Sequence, residues 1–306
     1  MILTSKIKDN IFTNPILVAS GTYGYGHEVA DMVNVELLGG IITKSVTLEP
    51  REGNDPPRIF ETPSGMLNSI GLANLGVHKF CIEKIPYLND LNTNIIINIA
   101  GSSIDDYIQT LELLESSNGK HIGYEINISC PNVKKGGMEF SVDPKTTENL
   151  TKKIRSKTDK LLIMKLSPNV THISEIALAC EIGGADAVSA INTVVGMGID
   201  IVTKRPKVST IFGGLSGPAI KPIAIASVHK IFKTVKIPII GIGGISCFED
   251  VIEFILAGAS LVEIGTLNYT DPNRGVTIVD NLKKFCSDNK INNLLDLKGQ
   301  INYYEK

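Results

Sequence analysis

Cys130 lies in the run Asn127-Ile128-Ser129-Cys130-Pro131-Asn132, directly ahead of Val133-Lys134-Lys135-Gly136-Gly137-Met138. The apolar stretch before it has strand character, so the thiol falls just past the C-terminal end of a strand. The glycine pair gives the following loop a hinge. A thiol of ordinary pKa, about 8.5, serves as a general base when its loop closes and excludes water. A cysteine is otherwise a small buried hydrophobe. That role is expected of Cys81, Cys180 and Cys286, which fall in helical patterns, and of Cys247.

Asn68, Asn98, Asn127, Asn132 and Asn192 recur at the ends of apolar runs. An amide side chain offers a donor and an acceptor together, which suits a ligand edge bearing both C=O and N–H, such as a pyrimidine or a flavin. Turn chemistry is the alternative role for any one of them. Lys44 and Lys165 end two further runs. Lysine is rare in an interior without a partner, so both are candidates to face an anion or a reduced flavin. His27, His78, His121, His172 and His229 are scattered and expected at the surface. No Ser/His/Asp set and no metal-ligand spacing accompanies them.

Glycines supply a third kind of chemistry. Ile240-Gly241-Ile242-Gly243-Gly244-Ile245-Ser246 and Val262-Glu263-Ile264-Gly265-Thr266 each end an apolar run in glycine. Gly213-Gly214-Leu215-Ser216-Gly217-Pro218 lies upstream of both. Glycine lets backbone amides approach an anion closely, and a following helix start directs its N–H groups there. Tight turns alone would also use these glycines. Three such loops in succession point to a phosphate group, whether of flavin mononucleotide, a sugar phosphate or a nucleotide.

These residues need a scaffold, and the apolar runs provide it. Residues 15–20, 40–46, 94–100, 124–129, 161–166, 187–192, 237–242 and 261–265 are rich in Ile, Val and Leu rather than alternating. Such runs suit parallel strands covered on both faces. Amphipathic segments at 104–114, 146–157, 173–182, 219–232 and 248–256 lie between them, and Asp143-Pro144 is a helix start signal. The pattern predicts an α/β protein, a single (β/α)8 TIM barrel over residues 1–306. Two connections, 47–93 and 193–236, are too long for one helix, so insertions follow strands 2 and 6. Both lie on the face where barrel enzymes build their sites.

Composition narrows the function classes. The chain has 306 residues, 43% of them hydrophobic, and 30 Lys+Arg against 32 Asp+Glu, a net charge of −2. That balance argues against a nucleic-acid partner, which calls for clustered positive charge. The five cysteines include no C-x-x-C pair, which suits free thiols in a reducing compartment. No basic region followed by an apolar signal core opens the sequence, and no run approaches the ~20 apolar residues of a membrane span. A soluble, cytoplasmic protein with no membrane partner is expected.

Taken together, these residues resemble the dihydroorotate dehydrogenases of pyrimidine biosynthesis. The most specific segments are Thr43-Lys44-Ser45-Val46-Thr47-Leu48-Glu49-Pro50-Arg51, Asn68-Ser69-Ile70-Gly71-Leu72, Asn127-Ile128-Ser129-Cys130-Pro131-Asn132 and Ile191-Asn192-Thr193. The resemblance implies an FMN-binding barrel that oxidises (S)-dihydroorotate to orotate. By that likeness Cys130 takes the C5 proton while hydride leaves C6 for the flavin. Substrate contacts would come from Lys44, Asn68, Ser69, Ile70, Gly71, Leu72, Asn127, Asn132, Asn192 and Thr193. FMN contacts would come from Ser20, Gly21, Lys44, Ser45, Asn98, Asn127, Lys165, Ile191, Gly217, Gly243, Gly244, Gly265 and Thr266, with Lys165 near flavin N1.

A cysteine base resembles class 1 of the family. The segment from Pro56 to Asn68 and Lys135-Gly136-Gly137-Met138 resemble class 1B. That subclass reaches NAD through an electron-transfer subunit bearing FAD and a 2Fe–2S cluster, in a heterotetramer built on a homodimer. This chain has no dinucleotide-binding G-x-G-x-x-G unit and no cluster cysteines of its own. Asp55 and Leu75 stand where the 1B pattern usually has prolines, and Asn74-Leu75-Gly76 is closer to the fumarate-using class 1A. Class 1A is therefore the neighbouring alternative. More distant ones are a tRNA dihydrouridine synthase, which would require a basic surface, and a flavin-free phosphate-binding isomerase or lyase.

Overall fold

A computed structural model describes residues 2–128 and 141–304. Eight parallel strands close into a barrel. In chain order they are Ile16–Val18, Gly40–Ile42, Asn94–Ala100, Gly123–Asn127, Leu161–Leu166, Ala187–Ala190, Ile239–Ile242 and Leu261–Ile264. Closure comes where the eighth strand pairs with the first, Val262 opposite Ile16. Seven strands fall within the apolar runs and the fourth begins one residue ahead of its run, at Gly123, since a strand covered on both faces has no polar side to alternate.

Helices pack around the barrel where the sequence places them. Ile104–Glu115 starts at a capping box between Ser103 and Asp106. Pro144–Arg155 starts at Asp143, whose carboxylate accepts from the Thr146 amide at 2.7 Å. Ile173–Ile182, Lys221–Phe232 and Phe248–Ala257 follow. Three further helices, Val77–Glu83, Ile85–Asp90 and Arg274–Asp288, lie beyond the predicted segments. No helix among the described residues is long and apolar enough to cross a membrane.

The barrel interior is layered. Leu17, Ile42, Ile96, Leu161, Ile163, Ala187, Ile240 and Leu261 form one apolar cluster. Ile7 and Phe12 join it from an N-terminal hairpin, Ser5–Ile7 with Asn10–Phe12. The hairpin, which strand-length patterning did not signal, thus contributes two buried apolar side chains to the barrel's inner core. Side chains two positions apart share a strand face. Asn98, Lys165, Ser189 and Glu263 therefore point inward one step beyond Ile96, Ile163, Ala187 and Leu261. The interior changes from apolar to polar toward the C-terminal ends of the strands.

The two long connections pair with each other. Ile59–Thr62 and Gly65–Asn68 make a tight hairpin, and Val194–Gly196 and Gly213–Ser216 add to it. Their four-stranded antiparallel sheet is joined by Gly214 opposite Asn68. Gly213 and Gly214 are consequently strand residues rather than free phosphate-binding amides. A Cβ on Gly214 would meet Thr193 Oγ1 at 2.1 Å, so this glycine permits close packing of sheet on barrel.

One surface expectation is overturned. His121 is buried at 6% exposure, its Nε2 2.8 Å from the Tyr124 hydroxyl. A single imidazole ahead of a strand gives no periodic signal of burial; Tyr124 packs against it edge-on, with ring centroids 4.9 Å apart.

Candidate active site

The polar layer is centred on Lys165. Its Nζ lies 3.2 Å from Glu125 Oε1 and 3.2 Å from Glu263 Oε2, with Ser20 Oγ at 3.4 Å. Glu125 also accepts from Asn98 Nδ2 at 2.6 Å and from Ser189 Oγ at 2.8 Å. Asn98 in turn accepts from Ser45 Oγ at 2.5 Å. Burial opposes ionisation of Glu125, but Lys165 and the surrounding donors hold its carboxyl below the usual range. Burial and the Glu125 charge hold Glu263 well above it. Burial also works against the Lys165 charge, and the two carboxyls raise its pKa nonetheless. The sequence-predicted Ser20, Ser45, Asn98 and Lys165 thus meet in one network.

Glu125, Glu263 and Ser189 are members that sequence reasoning did not assign. A signal was available: each is a polar residue inside a fully buried strand, Glu263 and Ser189 as the lone polar side chains of theirs. Such a residue is seldom buried unless it is partnered.

The glycine loops converge beside this layer. Gly217, Gly243 and Gly244 have φ of 92°, 125° and 77°, the left-handed region that favours glycine. A Cβ on Gly217 would lie 3.6 Å from Thr266 Cγ2, which joins the sixth connection to the loop after the eighth strand. Beside Gly265 a Cβ would meet only Ala19, at 3.6 Å, and beside Gly21 it would meet nothing within 4 Å. These two positions leave open space at the strand ends. Lys221, just after Gly217, is held by Asp250 at 2.6 Å and Glu253 at 2.8 Å.

Substrate candidates fall into two groups. Asn192 Nδ2 lies 3.4 Å from Asn127 Oδ1, and the Thr193 amide donates to Asn192 Oδ1 at 2.7 Å. Asn68 Nδ2 donates to the Gly214 carbonyl at 3.2 Å, which ties it to the Thr193 side of the barrel. Ser69 is engaged instead within the insertions, by Thr210 Oγ1 at 2.5 Å and Asn54 Nδ2 at 2.9 Å. The Ile70 carbonyl accepts from the Asn54 amide, while Gly71 and Leu72 take left-handed φ of 75° and 57°. Ile191 is buried directly after the sixth strand. Lys44 is half-buried; its amide donates to the Gly24 carbonyl at 2.8 Å, and its side chain makes no hydrogen bond or ion pair among the described residues. Cys130 and Asn132 lie outside the described residues.

The site suits a flavin phosphate on structural grounds. Open space at Gly21 and Gly265, the left-handed glycine loops and the Lys44 side chain, which has no partner among the described residues, make room for an anion and a ring beside it. No group of three or more His, Cys, Asp or Glu residues among those described could hold a metal ion.

A closed (β/α)8 barrel with a buried lysine network and glycine loops at its strand ends defines a barrel enzyme. The family model for dihydroorotate dehydrogenase matches residues 2–286. The chain is 48% identical over 288 residues to a Parabacteroides distasonis protein, covering 94% of each. It is 48% identical over 299 residues to one from Bacteroides thetaiotaomicron, covering 98% of each. A Thermoanaerobacter protein is 46% identical over 94% of this chain and 95% of its own length. All three are named the catalytic subunit of dihydroorotate dehydrogenase B (NAD(+)). This chain belongs to the dihydroorotate dehydrogenase family.

Proposed function

We propose that this chain oxidises (S)-dihydroorotate to orotate in pyrimidine biosynthesis, with FMN at the barrel mouth. Electrons then pass to NAD+ through a partner subunit carrying FAD and a 2Fe–2S cluster. The observation that carries this reading is near-full-length identity of 46–48% to relatives bearing the NAD(+) catalytic-subunit name. The Lys165 network and the glycine loops support it. The chain acts in the cytoplasm as one barrel domain, and as a homodimer within the heterotetramer.

Gly243, Gly244, Gly265 and Thr266 would hold the FMN phosphate through backbone amides, while Ser20, Lys44, Asn98 and Lys165 would face the ring. Bound FMN supplies a two-electron acceptor; the chain supplies position and electrostatic field. Cys130 takes the C5 proton. Asn68, Asn127, Asn132 and Asn192 orient the pyrimidine by its C=O and N–H edges, and Lys44 offers a counter-charge to the substrate carboxylate.

Steady-state oxidation of dihydroorotate, with NAD+ or fumarate and with or without the partner subunit, tests this directly. The isolated chain is expected to carry flavin absorbance and to turn over poorly with NAD+ until the partner is added. Strong fumarate-dependent turnover by the isolated chain would overturn the acceptor assignment. A colourless protein that takes up no flavin would overturn the cofactor.

A further inference from the structure

The buried cluster beneath the site holds one ammonium and two carboxyls. Its environment does not treat the two carboxyls alike. Glu125 accepts from Lys165, Asn98 and Ser189, three donors aimed at one group. Among the described residues Glu263 receives only Lys165, at 3.2 Å, and its buried Oε1 accepts no hydrogen bond from them. Both side chains have 0% exposure, so water cannot make up the difference. A buried carboxylate oxygen left without a donor is costly, and a second charge beside Glu125 more so. Both carboxyls contact the same Lys165 ammonium, each at 3.2 Å, so two negative charges would face one another across a single cation.

We propose that the cluster carries one positive and one negative charge, with Glu125 the carboxylate and Glu263 a neutral acid that donates to Glu125 and accepts from Lys165. Glu125 and Glu263 are then positioning residues. They fix the Lys165 ammonium, and the Glu125 charge sets how much of its field reaches the flavin. The positions of the pKa values agree, Glu125 lying below and Glu263 well above the ordinary carboxyl range. The link to the flavin rests on the cofactor reading above; the protonation state does not.

The consequence is an asymmetry between two isosteric substitutions. Two-electron reduction adds negative charge to a flavin, and a more positive field favours it. Glu125→Gln deletes the negative charge and leaves Lys165 uncompensated, so the bound flavin is easier to reduce. Glu263→Gln exchanges one neutral donor–acceptor for another and leaves the field as it was.

Midpoint potentials of the flavin-loaded wild-type chain and both variants test this. Glu125→Gln is expected to shift the reduction equilibrium at least tenfold toward reduced flavin, about 30 mV for a two-electron couple, and Glu263→Gln less than twofold. An equal upward shift in both variants would mean that Glu263 is ionised and overturns the proposal, as does no shift in Glu125→Gln. Infrared spectra of chain labelled with 13C at glutamate carboxyls provide a second measurement, independent of flavin and of whether Glu125→Gln folds. A protonated-carboxyl band at neutral pH in the wild type, lost in Glu263→Gln, is the expected result, and its absence from the wild type overturns the proposal. A chain that binds no flavin yet shows the band would sink the cofactor reading while leaving the charge assignment standing.

Discussion

A methyl group on Gly244 would sit 3.0 Å from the carbonyl oxygen of Gly217, so the loops after the sixth and seventh strands meet without side chains between them. The same methyl would lie 2.7 Å from Lys221 Cβ and 2.8 Å from its amide nitrogen, at a φ of 77°. Gly244→Ala is therefore expected to destabilise the fold by roughly 1–3 kcal/mol. Gly265→Ala meets only Ala19 and is expected to cost less than about 0.5 kcal/mol. Its methyl occupies the space assigned to the cofactor, and we expect FMN affinity to fall by about tenfold or more. Thermal unfolding of the apo proteins and flavin titration separate the two effects; unchanged FMN affinity in Gly265→Ala would remove that residue from the cradle.

The two lysines predict opposite outcomes. Lys165→Met leaves Glu125 buried beside no cation, and breaking a buried pair in this way costs about 3–5 kcal/mol. The Lys44 side chain makes no hydrogen bond or ion pair among the described residues, so Lys44→Ala should change stability by under about 1 kcal/mol. Its expected effect is on binding, as a rise in KM for dihydroorotate. Urea denaturation and steady-state kinetics measure both, and a strongly destabilised Lys44→Ala would contradict this division.

His121 predicts an acid limb of stability. Burial, and then the Lys160 charge, lower its pKa to about 4 in the folded protein, against about 6.5 in an unfolded chain. The folded imidazole stays neutral while the unfolded one takes up a proton, so stability is complete above about pH 6.5 and is lost as pH falls toward 4. The difference amounts to roughly 3 kcal/mol across that window. In His121→Gln the decline over the same range should be shallower. Chemical denaturation at successive pH values compares the slopes, and parallel curves would show that the titration lies elsewhere.

Cys130→Ser tests the base. A hydroxyl at its free pKa is a far poorer proton acceptor than a thiol. Single-turnover flavin reduction by dihydroorotate is expected to slow by about 100-fold or more at neutral pH, with partial recovery as pH rises. A rate within a factor of two of wild type would assign the proton to another group.

Much of this architecture was legible because it is local. The strand Leu161–Leu166 and the helix Ile173–Ile182 match their predicted bounds, since apolar runs and helical spacing are properties of short segments. Cys130, Lys165 and the glycine loops stood out for the same reason, as unusual residues at the ends of such segments. Local pattern has no access to pairings across the chain. Lys165 meets Glu125, 40 residues away, and Glu263, 98 residues away, only because the closed barrel turns the inner faces of the fourth, fifth and eighth strands toward one another. Asn68 reaches Gly214 across 146 residues because two insertions form one sheet. His121, expected at the surface, is buried against Tyr124. The sequence by itself determined the elements and the kinds of chemistry they carry; closure and register, which depend on burial summed over the whole chain, decided which side chains meet and with what charge.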